Sequence, residues 1–288
     1  AMIKGLYDFL DTREVHNNFT LGIVDDVTNL SVKYDKTFRI PSNNIEFLIY
    51  GFGSDGMVSA SKDIMKITGT YTNAYVQGYF QYDSKKSGGV TISNLRFGKR
   101  PIRSTYYVEK ASLIVCTKDS YLKRLKMLEK IKNKGVFVLN TTKTPDEVLA
   151  SMSVHDKKIL QDRNIKMFII NATKMAEDAG IPGKISAIME SLIFKLGKII
   201  DFNFALGKIK ENLAVKFANK GGDLVTKNIK AIEASLDGLV PVKVPYVDYV
   251  ESFGKQKNFF ETIDSMEGDS LPVSSFIKRP DGSFEAGT

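Results

Sequence analysis

Apolar positions run without a break through NIEFLIYGFG, from Asn44 to Gly53, and the run closes on glycine. That is the pattern of a strand buried on both faces. SASKDIMKITG follows with apolar residues at helical spacing, and Gly69 is placed to stop the helix. AYVQGYFQY and GGVTISNLRF read as two strands around a polar, glycine-rich turn. Beyond them ASLIVCT predicts a strand, DSYLKRLKMLEKIKNK a helix ended by Gly135, and GVFVLN and KMFIIN further strands. Thr144-Pro145-Asp146-Glu147 carries a helix-start signature, with a capping threonine, proline in the first turn and glutamate three residues on. From Ala172 to about Leu239 the period turns helical in MESLIFKLGKII, FALGKIKENLAVKF and DLVTKNIKAIEASL. Strands separated by helices of this length predict a three-layer α/β/α fold with a mixed, largely parallel central sheet.

The flanks read differently. Residues 1–43 hold a short amphipathic stretch, IKGLYDFLDT, and then FTLGIVDDVTNLSV, strand-like and interrupted by Asp25-Asp26. Residues 240–288 hold four of the eight prolines and read as an extended C-terminal arm. The expected organisation is therefore an N-terminal segment (1–43) joining from a preceding domain, an α/β domain (44–239), and an arm (240–288) toward a following one. Ala1 ahead of Met2 reads as the remnant of a cleaved tag, and DGSFEAGT as a cut inside a polar stretch. Both ends are those expected of a piece of a longer protein.

Composition narrows the chemistry. The 288 residues are 43% hydrophobic and 26% charged, which is ordinary globular usage. No run approaches the roughly 18 apolar residues of a membrane span. Cys116 is the only cysteine, so a disulfide framework, a cysteine-rich zinc site or an iron–sulfur cluster held within the chain is excluded. Its apolar surroundings predict an inert, buried thiol. The net charge of +8 invites a nucleic-acid reading, but the lysines are scattered and no aromatic platform interleaves with them. A polyanionic small ligand or an acidic neighbouring surface accounts for the same charge, and no nucleic-acid or membrane partner is expected.

Two turns carry the candidate chemistry. In Tyr50-Gly51-Phe52-Gly53-Ser54-Asp55-Gly56 a buried strand ends in glycines just before a helix, which aims backbone N–H groups and the positive helix end at one place. Gly51, Gly53 and Gly56 have the G-x-G-x-x-G spacing, a pattern that a purely structural turn also produces. Lys62, early in the predicted helix, offers a point charge. The second turn, Tyr82–Gly89, sets Lys85 and Lys86 between Ser84 and Ser87. Charge-assisted hydrogen bonds from two lysines suit a phosphate, and a solvated hairpin is the bland alternative. His16 and His155 have no partners at metal-ligand spacing, no G-x-S-x-G elbow or Walker A sequence occurs, and no catalytic or metal-binding residue is assigned.

YGFGSDGMVSASK, YVQGYFQYDSKKSGGVTISNLRFGKRPIRSTY, FTLGIVDDVT and MEGDSLPVSSF together resemble the central region of the pyruvate:ferredoxin oxidoreductases, and the resemblance spans nearly the whole chain. It implies a piece of an enzyme that decarboxylates pyruvate on thiamine diphosphate, passes electrons through [4Fe-4S] clusters to ferredoxin or flavodoxin, and makes acetyl-CoA. The piece resembles the gamma domain (domain III), which helps hold coenzyme A and is not catalytic alone. The implied contacts to CoA are Ser54, Asp55, Gly56, Lys62, Lys85, Lys86 and Ser87. The implied partners are other domains of the same polypeptide and ferredoxin or flavodoxin, in a cytoplasmic, homodimeric parent whose thiamine diphosphate and clusters sit outside this piece. Met57, Ser59 and Ser61 depart from the family's usual GADGTVGANK, and Thr141-Thr142 from its usual Ser-Pro. Those departures leave two alternatives: an interaction domain that has lost its ligand, or the similar domain of a multidomain sulfite reductase subunit.

Overall fold

The computed structural model describes residues 1–83, 89–218, 222–248, 257–265 and 267–279. They fall into two compact units, Ala1–Ser42 with the described part of Glu251–Thr288, and Asn43–Val250. The chain opens on helix α1 (Met2–Leu10), which buries only Gly5. The stretch from Phe19 to Val32, expected to be strand-like, makes single bridges instead, Thr20 to Ser31 and Val24 to Pro272. The Asp25 carboxylate explains this, because it accepts from the N–H groups of Val27, Thr28 and Leu30 and from the Thr28 hydroxyl. Such local bonds compete with a strand ladder.

The second unit is built on a seven-stranded sheet. β1 (Ile45–Phe52) is buried except at its ends, and helix α2 (Met57–Tyr71) follows, packing Met57, Ala60, Ile64 and Ile67 inward. β2 (Tyr75–Tyr82) and β3 (Val90–Gly98) form an antiparallel hairpin. β4 (Ala111–Cys116) lies parallel to β1. Helix α3 (Tyr121–Arg124) and a 3-10 turn (Met127–Lys130) lead into β5 (Ile131–Asn140). Then come α4 (Pro145–Ser151), α5 (Val154–Asp162), β6 (Lys166–Ile170), α6 (Ala172–Asp178), α7 (Ser186–Gly197), α8 (Phe202–Phe217), α9 (Gly222–Asp237) and β7 (Val240–Val242). The strand order is β2-β3-β1-β4-β5-β6-β7, parallel from β1 through β6 with antiparallel strands at both edges.

Alternation along β1 assigns the faces. Phe47 and Ile49 join one core with α2 and α7–α9, while Leu48 and Tyr50 join the other with α3, the 3-10 turn, α4 and α5. This is the layered α/β fold that the alternation of patterns predicts. The Thr144 signature forms a complete capping box with Glu147. The single helix expected from Asp119 to Lys134 does not form. Leu125 is extended, a 3-10 turn intervenes, and strand begins at Ile131. Leu125, Met127, Leu128 and Ile131 are all buried against the sheet. The Arg163 guanidinium donates to the carbonyls of Leu128, Glu129 and Ile131, acceptors that helix hydrogen bonds would otherwise have used.

Past β7, residues 243–248 form neither helix nor strand. In the first unit, α10 (Phe259–Asp264) is capped by Asn258 and Glu261. Ser274 donates from its N–H and hydroxyl to Asp26, which ties the two chain segments of that unit together. Among the described residues, no helix is long and apolar enough to cross a membrane.

Candidate functional site at the end of β1

From β1 the chain passes first to β2 and β3 on one side and then to β4 on the other. The carboxyl end of β1 is therefore a topological switch point, where open α/β sheets leave a crevice for ligands. Ser54–Gly56 lies there. Pairing of Phe52 with Val90 brings the base of the lysine turn to the same end. The Gly53 N–H donates to the Gly89 carbonyl at 2.8 Å. The turns noted separately in the sequence thus start from adjacent strands. Lys85, Lys86 and Ser87 themselves lie outside the described residues.

The first turn is more occupied than its glycines suggest. Asp55 accepts from the backbone N–H groups of Phe52 (2.7 Å) and Met57 (2.9 Å) and from Thr117 Oγ1 (2.7 Å). Its carboxylate holds the α2 N-terminus itself and ties β1 to the residue after β4. Gly51 sits inside β1, where an added Cβ would meet Thr91 Oγ1 at 2.7 Å. Gly56 has φ of 82°, a left-handed conformation that favours glycine. Among the described residues, the N–H groups of Ser54 and Gly56 have no intramolecular partner. Ser54 is exposed.

Lys62 is not gathered to this turn. It is exposed on α2, its Nζ 5.5 Å from the centre of the Phe80 ring. It borders an open groove of about 340 Å³ with Lys66 and Lys216. Ser59, Asp63, Asn212 and Lys216 line both this groove and a cavity of about 390 Å³ that reaches from the Ser54–Gly56 turn down between α2, α7, α8 and α9.

Glu190 lines that cavity. It belongs to the run Ala187–Phe194 of α7, buried at every position, and no pattern of spacing singled it out. The only sequence signal is an acidic residue inside the apolar segment AIMESLIF. Burial first, and then the Asp63 carboxylate, push its carboxyl up to about 8, against a smaller pull from Lys216. Glu190 is therefore mostly protonated at neutral pH. Cys116 is buried and its thiol is pushed up to about 12 by burial, consistent with an inert core thiol. Among the described residues, no cluster of three or more His, Cys, Asp or Glu could hold a metal.

The family model described as pyruvate ferredoxin/flavodoxin oxidoreductase matches residues 46–238. A pyruvate:ferredoxin oxidoreductase of Moorella thermoacetica is 37% identical over 299 residues, covering 100% of this chain and 25% of that protein. A pyruvate-flavodoxin oxidoreductase of Klebsiella pneumoniae is 35% identical over 298 residues, with 99% and 25% covered. The chain thus spans about a quarter of the length of the curated relatives it matches. Among solved structures, the pyruvate oxidoreductase subunit PORC of Thermotoga maritima aligns with TM-score 0.56 at 17% identity, over 70% of this chain and 100% of that one. A 2-oxoglutarate:ferredoxin oxidoreductase of Magnetococcus marinus with 2-oxoglutarate, coenzyme A and succinyl-CoA bound aligns with TM-score 0.53 at 16% identity, over 68% and 31%. These two likenesses establish the fold, while the match over residues 46–238 and the identity along the whole chain establish the lineage. The chain belongs to the pyruvate ferredoxin/flavodoxin oxidoreductase family.

Proposed function

We propose that this chain is the coenzyme A-contacting, non-catalytic gamma-type part of a pyruvate:ferredoxin or pyruvate:flavodoxin oxidoreductase. Residues 44–239 supply the contact, and the flanking segments join it to other domains of one cytoplasmic, homodimeric polypeptide. The parent carries out oxidative decarboxylation of pyruvate to acetyl-CoA. Its [4Fe-4S] clusters belong to the remaining three quarters, since Cys116 is the only thiol here and is buried, and its thiamine diphosphate is assigned there as well because no GDG…NN sequence occurs in this chain.

The observation that carries the reading is the 2.8 Å bond from Gly53 to Gly89, which joins the residue before Ser54–Gly56 to the described residue that follows the lysine turn in sequence. Ser54 and Gly56 then offer N–H groups, and Lys85, Lys86 and Ser87 offer charge and a hydroxyl, to one phosphate-bearing ligand. A related 2-oxoacid oxidoreductase of the same fold holds coenzyme A, which suits this choice. Asp55 enters as the residue that shapes the turn, and Lys62 as a charge on the adjoining helix.

Titration calorimetry with CoA tests the proposal. The chain should bind CoA, and Lys85→Ala/Lys86→Ala should weaken binding by about tenfold or more, as the loss of charge-assisted hydrogen bonds predicts. Equal affinity of the two proteins would sink the assignment of the lysines. The alternative of a scaffold without ligand draws on the Asp55 carboxylate, which already fills the helix N-terminus. An unchanged Michaelis constant for CoA in the parent after substitution of both turns would favour it.

A further inference from the structure

The cavity beneath the first turn has features that a phosphate contact does not use. Aliphatic side chains, Ile209, Leu213 and Leu224 among them, share its lining with polar ones, and at about 390 Å³ it has the size of a small-molecule pocket. Glu190, only 6% exposed, lines it. No hydrogen bond or ion pair to this carboxyl exists among the described residues. A buried polar group normally has a partner, and one left without is costly unless something else satisfies it. Asn228, 4% exposed, also lines the cavity; its Nδ2 donates to the Leu224 carbonyl, which leaves its Oδ1 as an acceptor.

Charge selects the class of guest. Among the described residues, the charged side chains facing the cavity besides Glu190 are Asp55 at the turn, Asp63 from α2, Lys184 ahead of α7 and Lys216 from α8; α9 contributes Leu224 and Asn228 to the described lining. Asp55 is committed to its own turn. An anion would meet Lys184 and Lys216, but would have to leave water for a partly apolar wall beside Asp63. A cation would be drawn by Asp63, but would leave water beside Lys184 and Lys216 and find the Glu190 carboxyl uncharged. A neutral molecule meets neither cost.

We propose that this cavity is a binding site for a small uncharged molecule with an aliphatic body and a carbonyl oxygen, the Glu190 carboxyl donating a hydrogen bond to that oxygen. An N–H on the guest, as in a secondary amide, is matched by Asn228 Oδ1. The site shares the Ser54–Gly56 turn with the coenzyme A reading as its rim, but its hydrogen bonds are to Glu190 and Asn228 and not to that turn.

Three probes of one chain length separate the possibilities: N-butylacetamide, n-butylamine and butyrate, each titrated into the 288-residue chain and followed by NMR. At pH 7 the amide should bind about tenfold more tightly than either charged probe. Because Glu190 gives up its proton near pH 8, amide affinity should fall as pH climbs beyond that value. Glu190→Gln, which keeps a donor, should retain binding and abolish the fall. Glu190→Leu should lose the amide by about tenfold while leaving CoA binding unchanged. The proposal is overturned if the amine or the carboxylate binds more tightly than the amide. It is also overturned if amide affinity is flat across pH 6–10 in the unmodified chain, or if about 10 mM amide leaves the spectrum unchanged.

Discussion

Glu46 and Glu190 are equally withdrawn from water, each 6% exposed, yet their surroundings are opposite. Glu46 stands on β1 directly across from Arg96 on β3. It accepts from Arg96 Nε at 3.0 Å and from Lys132 Nζ at 2.8 Å. Arg96 continues to Gln77 Oε1, Gln77 continues to the Ser104 carbonyl, and the Tyr106 ring lies 5.0 Å from the guanidinium. The whole chain of contacts fastens the loop after β3. Glu190, on α7, has no such companion and faces a hollow. A carboxylate that must stay charged in a core is surrounded by cations and amides. One that may remain neutral can be left facing a cavity, and only the second kind has capacity left for a ligand.

Breaking the first arrangement should produce the largest effect. Arg96→Leu leaves the Glu46 charge buried with Lys132 alone, and should cost about 3–5 kcal/mol of stability. The paired substitution Glu46→Leu/Arg96→Leu should recover much of that loss, because no uncompensated charge remains. Urea denaturation of the three proteins measures both numbers. A single substitution that costs no more than the pair would contradict a tightly coupled network.

Glu190→Gln should act in the opposite direction. In the folded chain the carboxyl keeps its proton until about pH 8, while in the unfolded chain it ionises near 4.5. Between those values the unfolded state binds fewer protons, so stability falls as pH rises and levels off above 8. Glutamine removes this slope. The variant should match the parent chain below pH 4.5 and exceed it by a few kcal/mol at most at pH 8. Denaturation midpoints at pH 4.5 and pH 8 would show it, and a midpoint difference independent of pH would contradict a neutral Glu190.

Which of these features can be read along the chain follows from the range of the forces behind them. The capping box at Thr144 and Glu147 is local, and it forms as its spacing predicts. The apolar run of β1 is legible because a strand covered on both faces tolerates little else. The segment from Asp119 to Lys134 misleads, since Leu125, Met127, Leu128 and Ile131 satisfy a helical stripe as readily as a turn and a strand. Arg163, more than 30 residues away, supports the irregular path. At the candidate site the two turns are visible in the sequence, but their adjacency depends on the pairing of β1 with β3. Glu190 is hidden for the same reason: a carboxyl's lack of partners is a property of tertiary packing and not of spacing.

Asp55 offers the smallest effect and the sharpest comparison of the two turns. Asp55→Asn keeps the side-chain shape but replaces one acceptor oxygen with a donor. One of the bonds to Phe52, Met57 and Thr117 must then be lost, at about 1 kcal/mol. The substitution also removes a negative charge from the N-terminus of α2, where an incoming phosphate would otherwise be repelled. If Ser54 and Gly56 contact the ligand, Asp55→Asn should bind CoA several-fold more tightly despite its lower stability. Lys85→Ala/Lys86→Ala should weaken binding in either background. Unchanged CoA affinity in Asp55→Asn, with the lysine effect intact, would move the anion contact wholly to the lysine turn and leave the glycine turn as a joint between β1 and α2.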